Sequence, residues 1–367
     1  MKKVVVIGAG ITGCYTAYFL AKAGCSVVVI DREGVGSQAT STNPGGLNPL
    51  HGPGIPGVMS DLALRSYALH ASLQEELEQV SGIDFQGRTV TRLEVAVTED
   101  EERAMAASRD LYNATAGFSA DWMHSQQLQQ EEPRLSSSVR KGLLMHGNRM
   151  VHSSAYAKAV LAAAEKLGVE MHHAEATGLK KSAGNVTHVT TDQGDLECDA
   201  VVIATGAWYQ EASEWLGMNI PVRPLKGQMM RAKLHGRKLP FHITRGLIGI
   251  YEVQDGTLWL GGTMEDCGFD TELTSAGRDL ILNGIEEIFP AIGDAEILEH
   301  LTGFRPATPD KLPVVGPVPD CWNAFIAGGS GPKGMLLSSG LAEAVSTYIL
   351  EREPDFEISQ FLPARFF

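Results

Sequence analysis

The stretch from Val4 to Asp31 constrains this chain more than any other. Val4-Val5-Val6-Ile7 and Val27-Val28-Val29-Ile30 are unbroken apolar runs of strand length, as expected of strands buried on both faces. Between them Gly8-Ala9-Gly10-Ile11-Thr12-Gly13 opens a helical stretch, so the segment reads as a strand–helix–strand unit of a parallel sheet. Gly8 permits the tight turn, and Gly10 lets backbone N–H groups approach a pyrophosphate. Gly13 lets the helix pack close to the strand, and the helix N-terminus favours phosphate. Asp31, 18 residues beyond Gly13, ends the second strand where a carboxylate can bind ribose hydroxyls. The unit predicts a dinucleotide site. Taken alone, it leaves NAD, NADP and FAD open.

A length of 367 residues allows two domains, or one large α/β core with an insertion. A net charge of −14 argues against general nucleic-acid binding. No apolar run approaches a membrane span, and glycines interrupt the short run after Lys2-Lys3, so a cytoplasmic protein is expected. The cysteines (Cys14, Cys25, Cys198, Cys267 and Cys321) are dispersed without metal spacing and read as reduced small hydrophobes. His172-His173 cannot chelate jointly, because adjacent strand residues face opposite ways.

After Asp31 the chain runs through Gly/Pro-rich sequence to Gly54, and a long ordered loop beside a dinucleotide unit predicts ligand contact. Ser60 is expected to cap a helix to about Val80, with Leu62, Leu69, Leu73, Leu77 and Val80 on one side. Thr89 to Val97 reads as a strand, and Thr98-Glu99-Asp100-Glu101 as a capping box opening the next helix. Further helices are expected over 125–132 and 153–167, and a hairpin around Asp192-Gln193-Gly194. Ala200 to Trp208 is a buried strand running into a small-residue turn. From Ile220 short alternating strands suggest an antiparallel sheet with one helix, a different layer type from the opening unit. The end returns to strand, glycine turn (Gly328 to Gly334) and helix.

This order of motifs resembles the D-amino-acid oxidase-like FAD-dependent oxidoreductases, within them the glycine oxidase, sarcosine oxidase and D-amino-acid dehydrogenase group. The resemblance runs from Val4 to Arg365. It rests on the Gly8 to Gly13 turn with Asp31, Ser41-x-Asn43-x-Gly45, Val201 to Trp208, Pro224-x-Lys226-Gly227-Gln228, Gly261-Gly262-Thr263, Gly303-Phe304-Arg305-Pro306 with Asp310-x-x-Pro313-Val314-Val315-Gly316, and Ala327 to Gly334.

The resemblance implies an α/β (α+β overall) fold. A Rossmann-like FAD domain of glutathione-reductase type (1–84, 151–212 and 303–367) would interleave with an antiparallel-sheet substrate domain (85–150 and 213–302). It implies FAD contacts from Gly8, Ala9, Gly10, Ile11, Thr12, Gly13, Asp31 and Arg32. Ser41, Thr42, Asn43, Gly45, Gly46 and Leu47 would line the pyrophosphate and one flavin edge. Leu179 would touch adenine through its backbone. Ala204, Thr205, Gly206 and Trp208 supply the mid-chain turn, and Gly331, Pro332, Lys333, Gly334 and Met335 the flavin's pyrimidine edge. Gly303 stands where covalent sarcosine oxidases carry the cysteine, so non-covalent FAD is expected. Those enzymes also carry an oxygen-activating lysine on the strand that reads Leu258-Trp259-Leu260 here.

Arg305 is expected to fork onto a substrate carboxylate, for which a planar guanidinium is suited. Tyr251, or Ile250 if the alignment slips by one, stands near a substrate-facing tyrosine. His51 is a candidate substrate contact, and Lys333, His242 and Arg245 are candidate second anion contacts. The implied activity is oxidative deamination of a small amino acid or amine (glycine, a D-amino acid or an N-substituted glycine). A hydride would pass from Cα to flavin N5, leaving an imine that hydrolyses. O2 or another acceptor takes the electrons; the alternatives are a dehydrogenase subunit feeding a quinone or protein partner, and a non-catalytic flavoprotein. Oligomerisation is left open.

Overall fold

The computed structural model describes residues 1–367. A six-stranded sheet is ordered Val314–Val318, Cys321–Gly328, Ala200–Ile203, Lys3–Ile7, Ser26–Asp31, Glu170–His173, and only the edge strand Val314–Val318 is antiparallel to its neighbour. Val4, Val6, Val27 and Val29 face a core shared with helices Ile11–Lys22, Ser60–Ser81, Ser153–Lys166 and Gly334–Ile349. Val5, Ile7 and Ile30 face the other way, onto helix Tyr209–Leu216 and a three-stranded antiparallel sheet over 176–197. Burial on both faces is the reason these strands carry no polar alternation.

The second sheet is ordered Glu296–Ala307, Arg223–Lys233, Thr257–Gly261, Ile248–Glu252, His242–Arg245, Arg88–Ala96, Lys141–Met150, Gly46–Leu47, with Ser119–His124 also paired to Lys141–Met150. Helix Ser275–Ile288 seals one face through Ile281, Ile285 and Ile288. The opposite face of this sheet supplies Arg92, Tyr251 and Arg305 to a cavity against the parallel sheet.

Several local expectations change. Ser60 is the first helical residue, and its hydroxyl accepts from Gly57 N–H at 2.9 Å instead of capping the helix. The buried side of that helix is Leu62, Ala63, Ser66, His70, Leu73 and Leu77, while Val80 is exposed. Thr98 does form the capping box with Glu101. Strand Glu296–Ala307 runs unbroken past 303 and pairs Arg305 with Leu225, so residues 303–307 belong to the antiparallel sheet. Strands Ser119–His124, Lys141–Met150, Ala176–Ser182 and His242–Arg245 escape the apolar pattern because polar and charged residues interrupt their alternation.

Candidate functional site

The site begins at the carboxyl ends of Lys3–Ile7 and Ala200–Ile203. Gly8 has φ +108°, and a Cβ there would lie 2.4 Å from the Ala204 carbonyl oxygen. A Cβ on Gly13 would lie 1.9 Å from the Gly8 carbonyl oxygen, so only glycine lets the helix start this close to the strand. Gly10 meets nothing nearer than the Thr40 hydroxyl at 3.7 Å. The Thr40 hydroxyl accepts from the first helical N–H, that of Ile11, at 3.2 Å, and Gly10 offers no side-chain cap to the N–H groups that follow at the positive end of the helix. This is a cradle for a phosphate.

Two cavities meet over it, sharing Gly10, Ala39, Thr40, Ala204 and Gly206. The smaller, about 140 Å³, is walled by Asp31, Arg32, Ala174 to Ala176, Thr205 to Trp208 and Phe304. The larger, about 400 Å³, lies between the two sheets. A trough with the phosphate cradle at its waist is the shape an extended dinucleotide needs, so the residues present fit FAD. Such crevices at strand carboxyl ends are where α/β sheets bind ligands.

Asp31 does more than wall the smaller cavity. Its carboxylate accepts from Ala9 N–H, Glu33 N–H and Gly34 N–H, each at 2.8 Å, and so ties the glycine turn to the exit of the second strand. A carboxylate has about four lone-pair sites, which leaves capacity for a ribose hydroxyl. Arg32 is ion-paired with Glu175 at 3.0 Å and lies over the Trp208 ring at 5.5 Å.

Five expected cofactor contacts line neither cavity: Ala9, whose N–H is taken by Asp31, Gly13, which packs on Gly8, and Leu179, Ser41 and Gly45. Leu179 lies off both cavities, packed beside the core under the small hairpin sheet, and Ala174 to Ala176 occupy the wall instead. Ser41 turns inward, its hydroxyl donating to the Ser37 and Gln38 carbonyls at 2.9 Å. Gly45, at φ +85°, is required because a Cβ would meet the Val151 carbonyl oxygen at 1.8 Å. Thr42, Asn43, Gly46 and Leu47 do line the larger cavity, as do Gly331 to Met335. Gly303 faces the Thr42 hydroxyl, 2.0 Å from where a Cβ would stand, so a cysteine has no room there without moving Thr42.

Arg305 lines the larger cavity and has no carboxylate partner. Its Nη1 donates to the Thr263 carbonyl at 3.0 Å, which fixes the fork while leaving most of its donors free. Burial lowers its pKa, yet a guanidinium stays charged throughout the physiological range. The side chain lies across Gly227, where a Cβ would stand 2.1 Å from Nη1. Tyr251 faces the cavity, and Ile250 is fully buried in the core on the other face of the sheet. His51 and His242 also line it, and burial pushes their pKa values down to about 2 and about 4, so both are neutral. Lys333 reaches back to the Asn48 carbonyl at 3.3 Å and to the His51 carbonyl, and burial lowers its pKa to about 7.

Arg245 is not a cavity residue. It is held by Glu101 at 2.8 Å and Glu287 at 2.6 Å. Arg92, absent from the sequence expectations, is one. Its strand pairs across a register irregularity near Gly147 (φ +92°), and a bulge of this kind re-aims neighbouring side chains. The available signal was a pair of charges, Arg92 and Glu94, two apart in an otherwise core-forming strand.

Residues 3–347 match the family described as FAD dependent oxidoreductase. The bifunctional protein ThiO/ThiG of Trichormus variabilis is 31% identical over all of this chain, which spans about half (55%) of that relative's length. Glycine oxidase of Pseudomonas aeruginosa is 27% identical, with 99% of both chains covered. The crystal structure of glycine oxidase from Geobacillus kaustophilus superposes with a TM-score of 0.92 at 25% identity, covering 100% of this chain and 99% of the other. With its phosphate cradle, two-cavity trough and family match over nearly the whole length, the chain belongs to the FAD dependent oxidoreductase family.

Proposed function

We propose that the protein oxidises the C–N bond of a small amino acid or amine, as the glycine oxidases it is similar to do by name. The observation that carries this reading is Arg305. A charged guanidinium lining a cavity, held by a carbonyl and left without a carboxylate, is a site waiting for an external one. Bound FAD supplies the hydride acceptor, at N5. The chain's own residues do the positioning. The region from Gly8 to Thr12 holds the phosphates, and Arg305 fixes the substrate carboxylate so that Cα–H is presented in one orientation, from which much of the acceleration follows. Neutral His51 and His242 add no charge, while the surrounding cations disfavour an ammonium form and so favour the free amine that must give up the hydride. The imine formed hydrolyses to an oxo acid with release of ammonia or an amine.

FAD is held without a covalent bond in this reading, supported by Gly303 and its contact with Thr42. Five unpaired cysteines, four of them buried, support a reducing compartment such as the cytoplasm. No helix is long and apolar enough to cross a membrane.

The test is anaerobic mixing of the holoprotein with glycine, D-amino acids, sarcosine and cyclic secondary amines while oxidised-flavin absorbance is followed. Bleaching by one class supports the reading, and no bleaching by any refutes it. Hydrogen peroxide release in air then separates O2 from a quinone or protein as acceptor. Arg305→Ala should lower kcat/KM at least about 100-fold, because a buried charge pair loses one partner.

A further inference from the structure

Four basic residues line the larger cavity (Arg92, Arg149, Arg305 and Lys333), the guanidinium of Arg149 being turned to Gln74 of helix Ser60–Ser81, and no aspartate or glutamate does, in a chain whose net charge is −14. Arg305 accounts for one anionic group. The others need a reason, since unpaired charge is costly to enclose.

The sheet fixes where two of the cationic groups lie. Arg305 reaches from its own strand over Gly227 toward Gly262, where a Cβ would stand 3.9 Å from Nη2. Arg92 leans the opposite way, its Nε donating to the Thr244 hydroxyl at 2.8 Å on strand His242–Arg245. Between Thr257–Gly261 and His242–Arg245 lies the strand carrying Tyr251. The two guanidinium groups therefore face each other across about two strand spacings, roughly 10 Å. Tyr251 and neutral His242 form the floor between them.

The Arg92 end is short of negative charge. Glu94 Oε2 is 3.5 Å from Arg92 Nη2 and 3.4 Å from His51 Nε2, and it is the one carboxylate against two basic groups, Arg92 and Lys333. Lys333 has only carbonyl oxygens as partners, and Arg92 contributes to lowering its pKa. The Asn48 amide is sealed in the wall beneath this end: its Oδ1 accepts from Leu50 N–H at 3.2 Å and from the Tyr112 hydroxyl at 3.0 Å, and its Nδ2 is fully buried away from the cavity. A guanidinium and a lysine that a bound anion would hold protonated, balanced by a single carboxylate, make a second anion site.

We infer that the substrate carries a second anionic group, held by Arg92 with Lys333, while Arg305 holds the first. The class is a dicarboxylic amino acid or an N-carboxyalkyl amino acid. Both carboxylates then bridge the Tyr251–His242 floor with the amine between them. This inference rests on the reading of Arg305 as a carboxylate site.

Non-reacting ligands test it separately from turnover. The holoprotein is titrated with propionate, succinate and glutarate, following the perturbation of flavin absorbance. Succinate or glutarate should bind at least about 10-fold more tightly than propionate, the worth of one charge-assisted contact. Arg92→Gln should remove that preference without weakening propionate, Arg92→Lys should keep most of it, and Arg305→Gln should weaken all three. Equal binding of mono- and dicarboxylates by the wild-type protein overturns the second site, and this result needs no variant to fold. Equal weakening of all three ligands by Arg92→Gln overturns it as well. If amines fail to bleach the flavin while dicarboxylates still bind preferentially, the oxidation reading falls and the two-anion site stands.

Discussion

Gly227→Ala isolates the placement of Arg305 from its charge. Gly227 lies in strand Arg223–Lys233 and is not at positive φ, so alanine is tolerated by the backbone there. The added methyl would stand 2.1 Å from Nη1 and 2.5 Å from both Cζ and Nη2 of Arg305. Ordinary contact begins near 3.4 Å, so the fork must retreat by about 1.3 Å, which breaks its bond to the Thr263 carbonyl. A misplacement of about 1 Å can cost about 100-fold in rate, or about 2.7 kcal/mol of transition-state stabilisation. The expected outcome is a fall of that order in kcat/KM, measured by anaerobic flavin reduction with the best substrate of the panel. FAD content and thermal midpoint should stay near wild type, because Gly227 lies on the substrate side and the methyl meets only a side chain. A variant that retains activity within about twofold would refute the placement of the substrate carboxylate on Arg305.

Three further outcomes follow from the geometry. Gly13→Ala places a methyl 1.9 Å from the Gly8 carbonyl oxygen, so the purified protein should lose most of its bound FAD, read from the flavin-to-protein absorbance ratio, and melt earlier. His70 is buried between Tyr156, at 2.8 Å, and the Leu336 carbonyl, at 2.8 Å, and burial lowers its pKa to about 4. Its unfolded pKa is about 6.5, so the unfolded chain binds the extra proton first. The stability is full above pH of about 6.5 and is lost toward about 4 at up to about 1.4 kcal/mol per pH unit. His70→Gln should flatten that acid limb in urea titrations, and an unchanged pH slope would remove His70 as its source. Thr98→Ala removes the hydroxyl of an observed capping box and should cost about 1 kcal/mol in denaturant unfolding, with no change in turnover.

Local chemistry made the cofactor half of this protein legible in the chain. The glycine spacing from Gly8 to Gly13, the apolar runs on either side and Asp31 all report steric and burial demands met within thirty residues, and the structure places them accordingly. The Thr98 capping box was equally readable, since its partners are three residues apart. Arg305 could be singled out by its motif, but the absence of any carboxylate beside it is a property of distant strands. Tertiary structure alone decided that Arg245 is consumed by Glu101 and Glu287, that Ala174 to Ala176 replace Leu179 at the smaller cavity, and that Arg92 enters the larger one. Which face a strand residue takes, and which charge finds a partner, depend on register and bulges between strands far apart in sequence. The cradle is therefore written locally. The cluster of basic side chains lining the larger cavity exists only once the sheet has closed over it.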